Sequence, residues 1–298
     1  MSIEPRAYTT YFDQRYLAFA LVTLRSIRKH DPQAEIFALC FDRVAFDVIV
    51  GLGDHKIIAV STDSIHEYQP HLALLAKEGR ARLPLYATHK PVMPLYTMIC
   101  RPHLAAVAHV DADACFYSSP QPLYDEIGSA SIALSPHRFA PAWKRSEEFG
   151  IYNAGFIYWR NDAEGRRCLE EYRTDCYDWC EPSPQPDGRF MNQGYLTFWP
   201  TRYSNVHIIM RLRDDMRGNN FADLASGGCA CIDRTPNGCD ITTDDGGNQA
   251  GVNFFPADES NIRRLNHGVG RFNHRHQASA FNHSKCFRHM LSPLRASI

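Results

Sequence analysis

The sequence predicts an α/β protein in which helices flank a mostly parallel central sheet. In the first half of the chain, short runs typical of strands alternate with longer amphipathic stretches, as they do in successive strand–helix–strand units. The 298 residues are 44% hydrophobic and 22% charged, which is the composition of an ordinary globular protein with a sizeable core. Pattern and composition therefore favour the same fold class.

The elements are predicted one by one from their local patterns. A first strand covers 7–12, and a helix covers 14–29, with leucines at helical spacing and Asp13 placed to cap it. Asp31 and the proline after it end this helix, because a residue before proline disfavours helical geometry. Further strands are predicted at 35–41, 56–60, 104–110, 131–134 and 155–159, and further helices at about 70–82, 91–101, 163–180 and 189–197.

Composition also excludes several classes of function. A formal net charge of -1 gives no reason to expect a nucleic acid as partner. We see no signal peptide, and the most apolar early stretch, 16–24, is far shorter than the roughly 20 residues of a transmembrane helix. The ten cysteines include no Cys-x-x-Cys pair, which disfavours a structural zinc site. We therefore expect a soluble cytoplasmic protein with reduced thiols.

The character of the chain changes after Met210. The stretch 211–253 is rich in Gly, Asn, Asp and Thr, and five of the fourteen histidines lie between His267 and His289. Such a stretch shows little apolar periodicity and is atypical of a core. The sequence therefore predicts one compact domain over 1–210 and a loosely ordered segment over 211–298.

A pair of carboxylates follows the predicted strand 104–110 directly. Ligands of open α/β sheets bind at the carboxyl ends of the strands, which is where Asp111-Ala112-Asp113 lies. Two carboxylates in a turn can share one hard divalent cation and leave room for substrate phosphates and water. The alternative is a solvated turn in which Asp113 caps the next helix. The position after an apolar strand favours Asp111 and Asp113 as ligands of Mn²⁺ or Mg²⁺.

Several motifs in a fixed order give the chain a family resemblance. They are Tyr11-Phe-Asp-Gln-Arg-Tyr16, Arg80-Ala-Arg82, Pro94-Leu-Tyr96, His109-Val-Asp-Ala-Asp113, Ser135-Pro-His-Arg-Phe139, Gly150-Ile-Tyr-Asn-Ala-Gly155, Trp159-Arg-Asn-Asp162 and Phe190-Met-Asn-Gln193. On these motifs, from about Tyr8 to Met210, the chain resembles the GT-A nucleotide-diphospho-sugar transferases of the bacterial glycogenin and lipopolysaccharide galactosyltransferase type. The resemblance implies a Rossmann-like GT-A fold and glycosyltransferase activity.

The resemblance also implies which residues bind the donor. They fall into three groups, namely the nucleoside edge, the pyrophosphate ligands and the loop beside the donor sugar. In that order the residues are Tyr11, Asp13 and Tyr16; Arg80 and Arg82; and Asn153 and Gly155, with Asp111 reaching the donor through the metal. A guanidinium group suits phosphate because it can pair with two oxygens at once, although an arginine on a helix is more often a solvated surface group.

A catalytic place is implied for Asn192 and Gln193, which stand where relatives tend to carry Asp-Gln. The amide of Asn192 can form hydrogen bonds, but it cannot act as a base or carry negative charge, and this departure puts the rate in question. His283 is the candidate for a third metal ligand, and its alternative is a surface histidine. Asp223 breaks a family pattern that begins at Gly218, so 211–298 is either a diverged acceptor-side segment or the product of a reading-frame error.

Together these features predict a metal-dependent glycosyltransferase. It would move a sugar from a nucleotide-diphosphate donor, with a UDP-sugar favoured, to an acceptor glycan or lipid-linked sugar. The family analogy suggests surface polysaccharide synthesis, in the cytoplasm and at the inner face of the membrane as a peripheral protein. One alternative is a non-catalytic or impaired nucleotide-sugar-binding protein. Another is a nucleotidyltransferase, against which the lack of glycine in 8–16 argues.

Overall fold

The structure, a computed structural model, describes residues 4–139 and 141–210. Its strands are β1 (Arg6–Phe12), β2 (Glu35–Cys40), β3 (Ile57–Ser61), β4 (Ala106–Val110), β5 (Ile132–Pro136), β6 (Tyr152–Arg160) and β7 (Val206–Ile208). They form one sheet in the order β3-β2-β1-β4-β6-β5-β7. Every neighbouring pair is parallel except those that β6 forms with β4 and β5. The predicted α/β fold with a mostly parallel sheet is confirmed.

Helices connect the strands and cover both faces of the sheet. The α-helices of the described residues are α1 (Leu17–His30), α2 (Arg43–Gly51), α3 (Thr62–Tyr68), α4 (Pro70–Lys77), α5 (Arg82–Thr88), α6 (Val92–Cys100), α7 (Gln121–Ile127), α8 (Ala163–Asp178) and α9 (Trp199–Arg202). Two 3₁₀ helices span Pro141–Phe149 and Gly194–Phe198. Among the helices described, none has the length and apolar character that a membrane span requires.

Three predicted helices differ from those observed. The helix predicted at 14–29 begins at Leu17, and the carboxylate of Asp13 accepts the N–H of Arg15 at 2.9 Å instead of capping α1, so that part of the prediction is wrong. The helix predicted at 70–82 ends at Lys77, because Gly79 has a φ of 89°, a conformation that glycine adopts most readily. The helix predicted at 189–197 is the second 3₁₀ helix, followed by α9.

The core consists of one apolar layer on each face of the sheet. Successive strand residues point to opposite faces, so Ala7 packs in the layer that contains α6 and α8, whereas Tyr8 packs in the layer that contains α1 and α2. The same alternation places Val107, His109 and Asp111 on the face covered by α6 and α8. This placement decides which helix can reach the predicted site.

Candidate functional site

The predicted site residues lie where several strands end. Because β6 runs antiparallel to β4, the first residues of β6 adjoin the last residues of β4, and Val110 pairs with Phe156. Just beyond, the N–H of Asp111 donates to the carbonyl of Gly155 at 2.9 Å. At the end of β5, Ser135 pairs with Asn153. The antiparallel course of β6 therefore brings the segment 153–155 to the edge of the sheet that carries Asp111.

Asp111 is held by two donors on one of its oxygens. The ammonium Nζ of Lys90 lies 2.8 Å from Oδ1 of Asp111, and Nε2 of His109 lies 3.0 Å from the same oxygen. Desolvation acts to raise the pKa of this carboxyl, but the Lys90 charge and the contact with His109 outweigh it and hold the pKa well below its usual range. Asp111 is therefore a fixed carboxylate ion.

The side chain of His109 is neutral and joins Thr9 of β1 to the carboxylate of Asp111. It is fully buried, and desolvation together with the Lys90 charge lowers its pKa to about 4. A neutral imidazole that donates from Nε2 to Asp111 accepts at Nδ1, and the hydroxyl of Thr9 lies 3.3 Å from Nδ1. This arrangement defines one tautomer, and it orients Asp111 as partners of metal ligands commonly do.

Asp113 faces outward from the loop that follows β4. Its side chain is exposed, and desolvation by the surrounding protein together with the charge of Asp111 raises its pKa. The loop is fastened to α1, since the hydroxyl of Thr23 contacts the carbonyl oxygens of Ala112 and Ala114 at 2.7 and 2.5 Å. Desolvation and the charge of Asp113 raise the pKa of Tyr16, so Tyr16 borders the same edge.

The two aspartates fit a hard divalent cation that shares its coordination with substrate. No cluster of three or more His, Cys, Asp or Glu side chains suited to a metal is found in 4–139 or 141–210. Lys90 and His109 both contact Oδ1 of Asp111. The other oxygen, Oδ2, therefore remains for a cation, and the carboxylate of Asp113 lies near that of Asp111. Such a pair suits Mg²⁺ or Mn²⁺, whose other ligands are water and phosphate oxygens. The predicted third ligand, His283, lies outside the described residues.

Three aromatic side chains pack together beside the C-terminal end of β1. The ring of Tyr86 stacks on Phe41 with centroids 3.6 Å apart, and Tyr11 meets Phe41 edge-on at 5.7 Å. Desolvation and the nearby Asp13 raise the pKa of Tyr86 to about 12. The structure thus brings two of the predicted nucleoside residues, Tyr11 and Asp13, together with an aromatic pair that sequence reasoning did not assign to this place.

The two arginines predicted to bind pyrophosphate have different surroundings. The guanidinium of Arg80 donates to the carbonyl oxygens of Cys176 and Tyr177 at 2.7 and 2.6 Å and to the hydroxyl of Thr88 at 3.0 Å. It therefore binds the last turn of α8, where helix carbonyls lack partners within the helix. Arg82 is the exposed first residue of α5 and is the one of the two whose charge faces solvent.

Of the four remaining predicted residues, Gly155 contacts Asp111 through its backbone, and Asn153, Asn192 and Gln193 form hydrogen bonds with backbone groups of the protein. The amide oxygen of Asn153 accepts the N–H of Gly155. Gln193 accepts the N–H of Ala154 at 3.2 Å, and buried Asn192 donates to the carbonyl of Ala87 at 3.2 Å. Both amide side chains of the Asn192-Gln193 pair are thus engaged in contacts within the protein.

Lys90 is the functional residue that sequence reasoning missed. It lies between α5 and α6, on the face of the sheet toward which Asp111 points, and its side chain is 4% exposed. It is the one charged residue between Arg82 and Arg101, and a lysine alone in such a stretch needs a buried partner. Its position in an apolar stretch could have identified Lys90 as a candidate for a buried ion pair. The sequence could not identify the partner, Asp111, which lies 21 positions away.

Comparisons with known proteins give distant similarities. No protein-family model matches the chain. The uncharacterized protein YfnF of Bacillus subtilis is 28% identical over 207 residues, which cover 67% of this chain and 67% of YfnF.

Two solved structures match the chain over about two thirds of its length. The galactosyltransferase LgtC, in complex with donor and acceptor sugar analogs, is 14% identical with a TM-score of 0.42, and the match covers 68% of this chain and 72% of LgtC. GlyE of Streptococcus pneumoniae is 13% identical with a TM-score of 0.41, covering 69% of this chain and 45% of GlyE. Both of these similar proteins are described as glycosyltransferases.

Proposed function

We propose that the chain is a metal-dependent glycosyltransferase of the GT-A type. It transfers a sugar from a nucleotide-diphosphate donor, for which we favour a UDP-sugar, to a hydroxyl group of an acceptor glycan or lipid-linked sugar. In this proposal residues 1–210 bind the donor and 211–298 form the acceptor side. Surface polysaccharide synthesis at the cytoplasmic face of the membrane is the setting that the family resemblance suggests.

One observation carries the proposal, namely the fixed carboxylate of Asp111 beside the exposed carboxylate of Asp113 at the carboxyl end of β4. A solvated turn would not need the buried Lys90 and the neutral His109 behind it. Burial of a lysine costs stability unless its charge is paired. The support that Lys90 and His109 give to one carboxylate oxygen favours a binding site over a surface turn.

The residues of the chain would bind and orient the donor. A bound Mn²⁺ or Mg²⁺ on Asp111 and Asp113 would stabilise the negative charge that develops on the departing diphosphate. Tyr11, Asp13 and Tyr16 would border the nucleoside, with the carboxylate of Asp13 accepting hydrogen bonds from its hydroxyl or N–H groups.

The remaining predicted residues would act around the diphosphate and the sugar. Arg82 would pair with diphosphate oxygens from the exposed start of α5. The donor sugar would approach Asn153 and the bare backbone of Gly155. Asn192 and Gln193 would act as positioning residues, because Gln193 joins the carbonyl of Phe149 at 2.9 Å to the N–H of Ala154 at 3.2 Å.

The test is the thermal stability of the full chain with UDP-, GDP-, CMP- and dTDP-sugars, with and without Mn²⁺. A ligand at about a hundred times its dissociation constant adds about 2.7 kcal/mol to the unfolding free energy. We expect a Mn²⁺-dependent rise in Tm with one of the diphosphate donors and not with CMP-sugars, its loss in Asp113→Ala, and its retention in Asp47→Ala, which removes an exposed aspartate of α2. No rise with any donor, or an undiminished rise in Asp113→Ala, would sink the proposal.

A second candidate is a nucleotide-sugar-binding protein without transfer activity. The observation that favours it is that Asn192 and Gln193 carry amides, not carboxylates, and that both amides are engaged in internal hydrogen bonds. The two candidates are separated by release of nucleoside diphosphate from the donor that stabilises the chain. Steady release supports transfer or hydrolysis, whereas binding without release, with glycan acceptors present as well as with water alone, supports the second candidate.

A further inference from the structure

We propose that Lys90 couples metal binding to donor binding. Its buried ammonium weakens the hold of Asp111 and Asp113 on a divalent cation until a nucleoside diphosphate supplies further negative charge. The inference rests on the proposed function, since it concerns the same pair of carboxylates.

The first step is that the Lys90 charge is fixed in place. Its Nζ lies 2.8 Å from Oδ1 of Asp111 and 2.8 Å from the carbonyl oxygen of Ala154, and it stands 5.7 Å from the centroid of the Tyr11 ring. Only 4% of the Lys90 side chain is exposed, so its ammonium group is buried. A lysine at the surface could swing away from an arriving cation, but Lys90 cannot do so without unpacking.

The second step is the balance of charge at the site. The positive charge of Lys90 cancels one of the two carboxylate charges of Asp111 and Asp113, and the neutral His109 adds none. A divalent cation therefore approaches a site with one net negative charge and a like charge beside it. The fixed ammonium of Lys90 repels an arriving cation and offsets part of the attraction of the two carboxylates, so the cation alone is held more weakly than it would be without Lys90.

The third step concerns the geometry of Asp111. Because Lys90 and His109 both contact Oδ1, the carboxylate can offer a cation only Oδ2 while these contacts last. A cation that arrives with a diphosphate needs no more, since phosphate oxygens complete its coordination. The diphosphate also brings the negative charge that Lys90 has removed from the site, so metal and nucleotide each raise the affinity for the other.

The experiment is a titration of the full chain with Mn²⁺, followed by the electron paramagnetic resonance signal of the free ion. Wild type is compared with Lys90→Met, which keeps the volume and removes the charge, and with Lys90→Arg, which keeps the charge. Arg28→Met is a matched control, because Arg28 pairs with Asp54 at 2.9 Å near the last turn of α1, at the opposite edge of the sheet.

Without nucleotide, we expect Lys90→Met to bind Mn²⁺ at least about tenfold more tightly than wild type, a coupling of ordinary size. Lys90→Arg and Arg28→Met should bind as wild type does. With UDP, GDP or dTDP present, the gain in Mn²⁺ affinity should be smaller in Lys90→Met than in wild type. Lys90→Gln, which can still donate a hydrogen bond to the carbonyl of Ala154, serves if Lys90→Met does not fold.

Two failures can be told apart. Unchanged or weaker Mn²⁺ binding by a folded, uncharged Lys90 variant overturns the inference, as does an equal nucleotide effect in that variant and wild type. If no nucleoside diphosphate changes Mn²⁺ affinity in any protein, including wild type, the proposed function itself fails.

Discussion

A side chain at position 155 would collide with both polar groups that face it. A Cβ there would lie 2.8 Å from Oδ1 of Asn153 and 3.2 Å from Oδ2 of Asp111, the oxygen left toward a cation. We expect Gly155→Ala to keep the fold and to weaken Mn²⁺-dependent donor binding by about tenfold or more, as disturbance of metal-ligand orientation commonly does. Gly51→Ala is the control, because a Cβ at that position meets no atom within 4 Å.

The measurement is the rise in Tm with Mn²⁺ and the stabilising donor, titrated for wild type and for both glycine variants. Equal donor affinity in Gly155→Ala and Gly51→Ala would show that Oδ2 of Asp111 does not face the ligand. A fall in Tm of Gly155→Ala without ligand would measure the strain that the new methyl group adds to β6.

Single residues of the site differ in how far the sequence can identify them. Asp111 and Asp113 were predicted because they lie one residue apart and follow a buried strand. That the two are close in space is evident without knowledge of the fold. Lys90 was missed because its contact with Asp111 depends on which face of the sheet the junction of α5 and α6 covers. Gln193, 39 positions from its partner Ala154, was predicted as catalytic from the resemblance alone, and that role stays a prediction.

At the scale of elements, Arg80 joins the segment between α4 and α5 to the end of α8. Its hydrogen bonds to the carbonyl oxygens of Cys176 and Tyr177 involve a charged donor, and each such bond contributes roughly 1.5–3 kcal/mol. We expect Arg80→Met to lower the unfolding free energy by about 3 kcal/mol or more, since two such bonds are lost, and to leave donor affinity unchanged. Arg82→Met should do the reverse, with unchanged stability and weaker donor binding.

Urea denaturation of the two arginine variants, together with donor titration by Tm, measures both effects. Each variant serves as the control of the other, because both remove one guanidinium from neighbouring positions of the same connection. Weaker donor binding by Arg80→Met at unchanged stability would restore the pyrophosphate role that the family resemblance implies for it.

Strands were easier to predict than short helices. The strands β2 and β4 are buried and largely apolar, and β1 is a buried run rich in Thr, Tyr and Phe. Such runs are visible in any window of the sequence. Helices α2, α3, α5, α7 and α9 were not predicted, although Asp42 caps α2 by accepting the N–H of Ala45 at 2.8 Å. Strand β7 has three residues and depends on its pairing with β5. The antiparallel direction of β6, which builds the site, has no local pattern.

At the scale of the whole molecule, the apolar layers enclose histidines that the fold keeps neutral. His89 is 1% exposed, and its Nδ1 lies 2.7 Å from the carbonyl oxygen of Leu85, to which it donates. Burial lowers the pKa of His89 to about 4, whereas an unfolded histidine binds a proton near pH 6.5. Acid therefore favours the unfolded chain, and the stability that a neutral His89 provides is lost as the pH falls below about 6.5.

This linkage predicts that the unfolding free energy falls more steeply with decreasing pH in wild type than in a variant without His89. Between pH 7 and 5, the unfolding free energy of wild type should fall by about 2 kcal/mol more than that of His89→Leu, in which the titrating group is absent. The absolute stability of His89→Leu will differ because a hydrogen bond is lost, but the slope with pH reports the proton alone. His103→Leu removes an exposed histidine and should follow the wild-type slope. Urea denaturation at several pH values measures all three proteins, and parallel slopes for wild type and His89→Leu would show that His89 takes up its proton equally in the folded and unfolded chain.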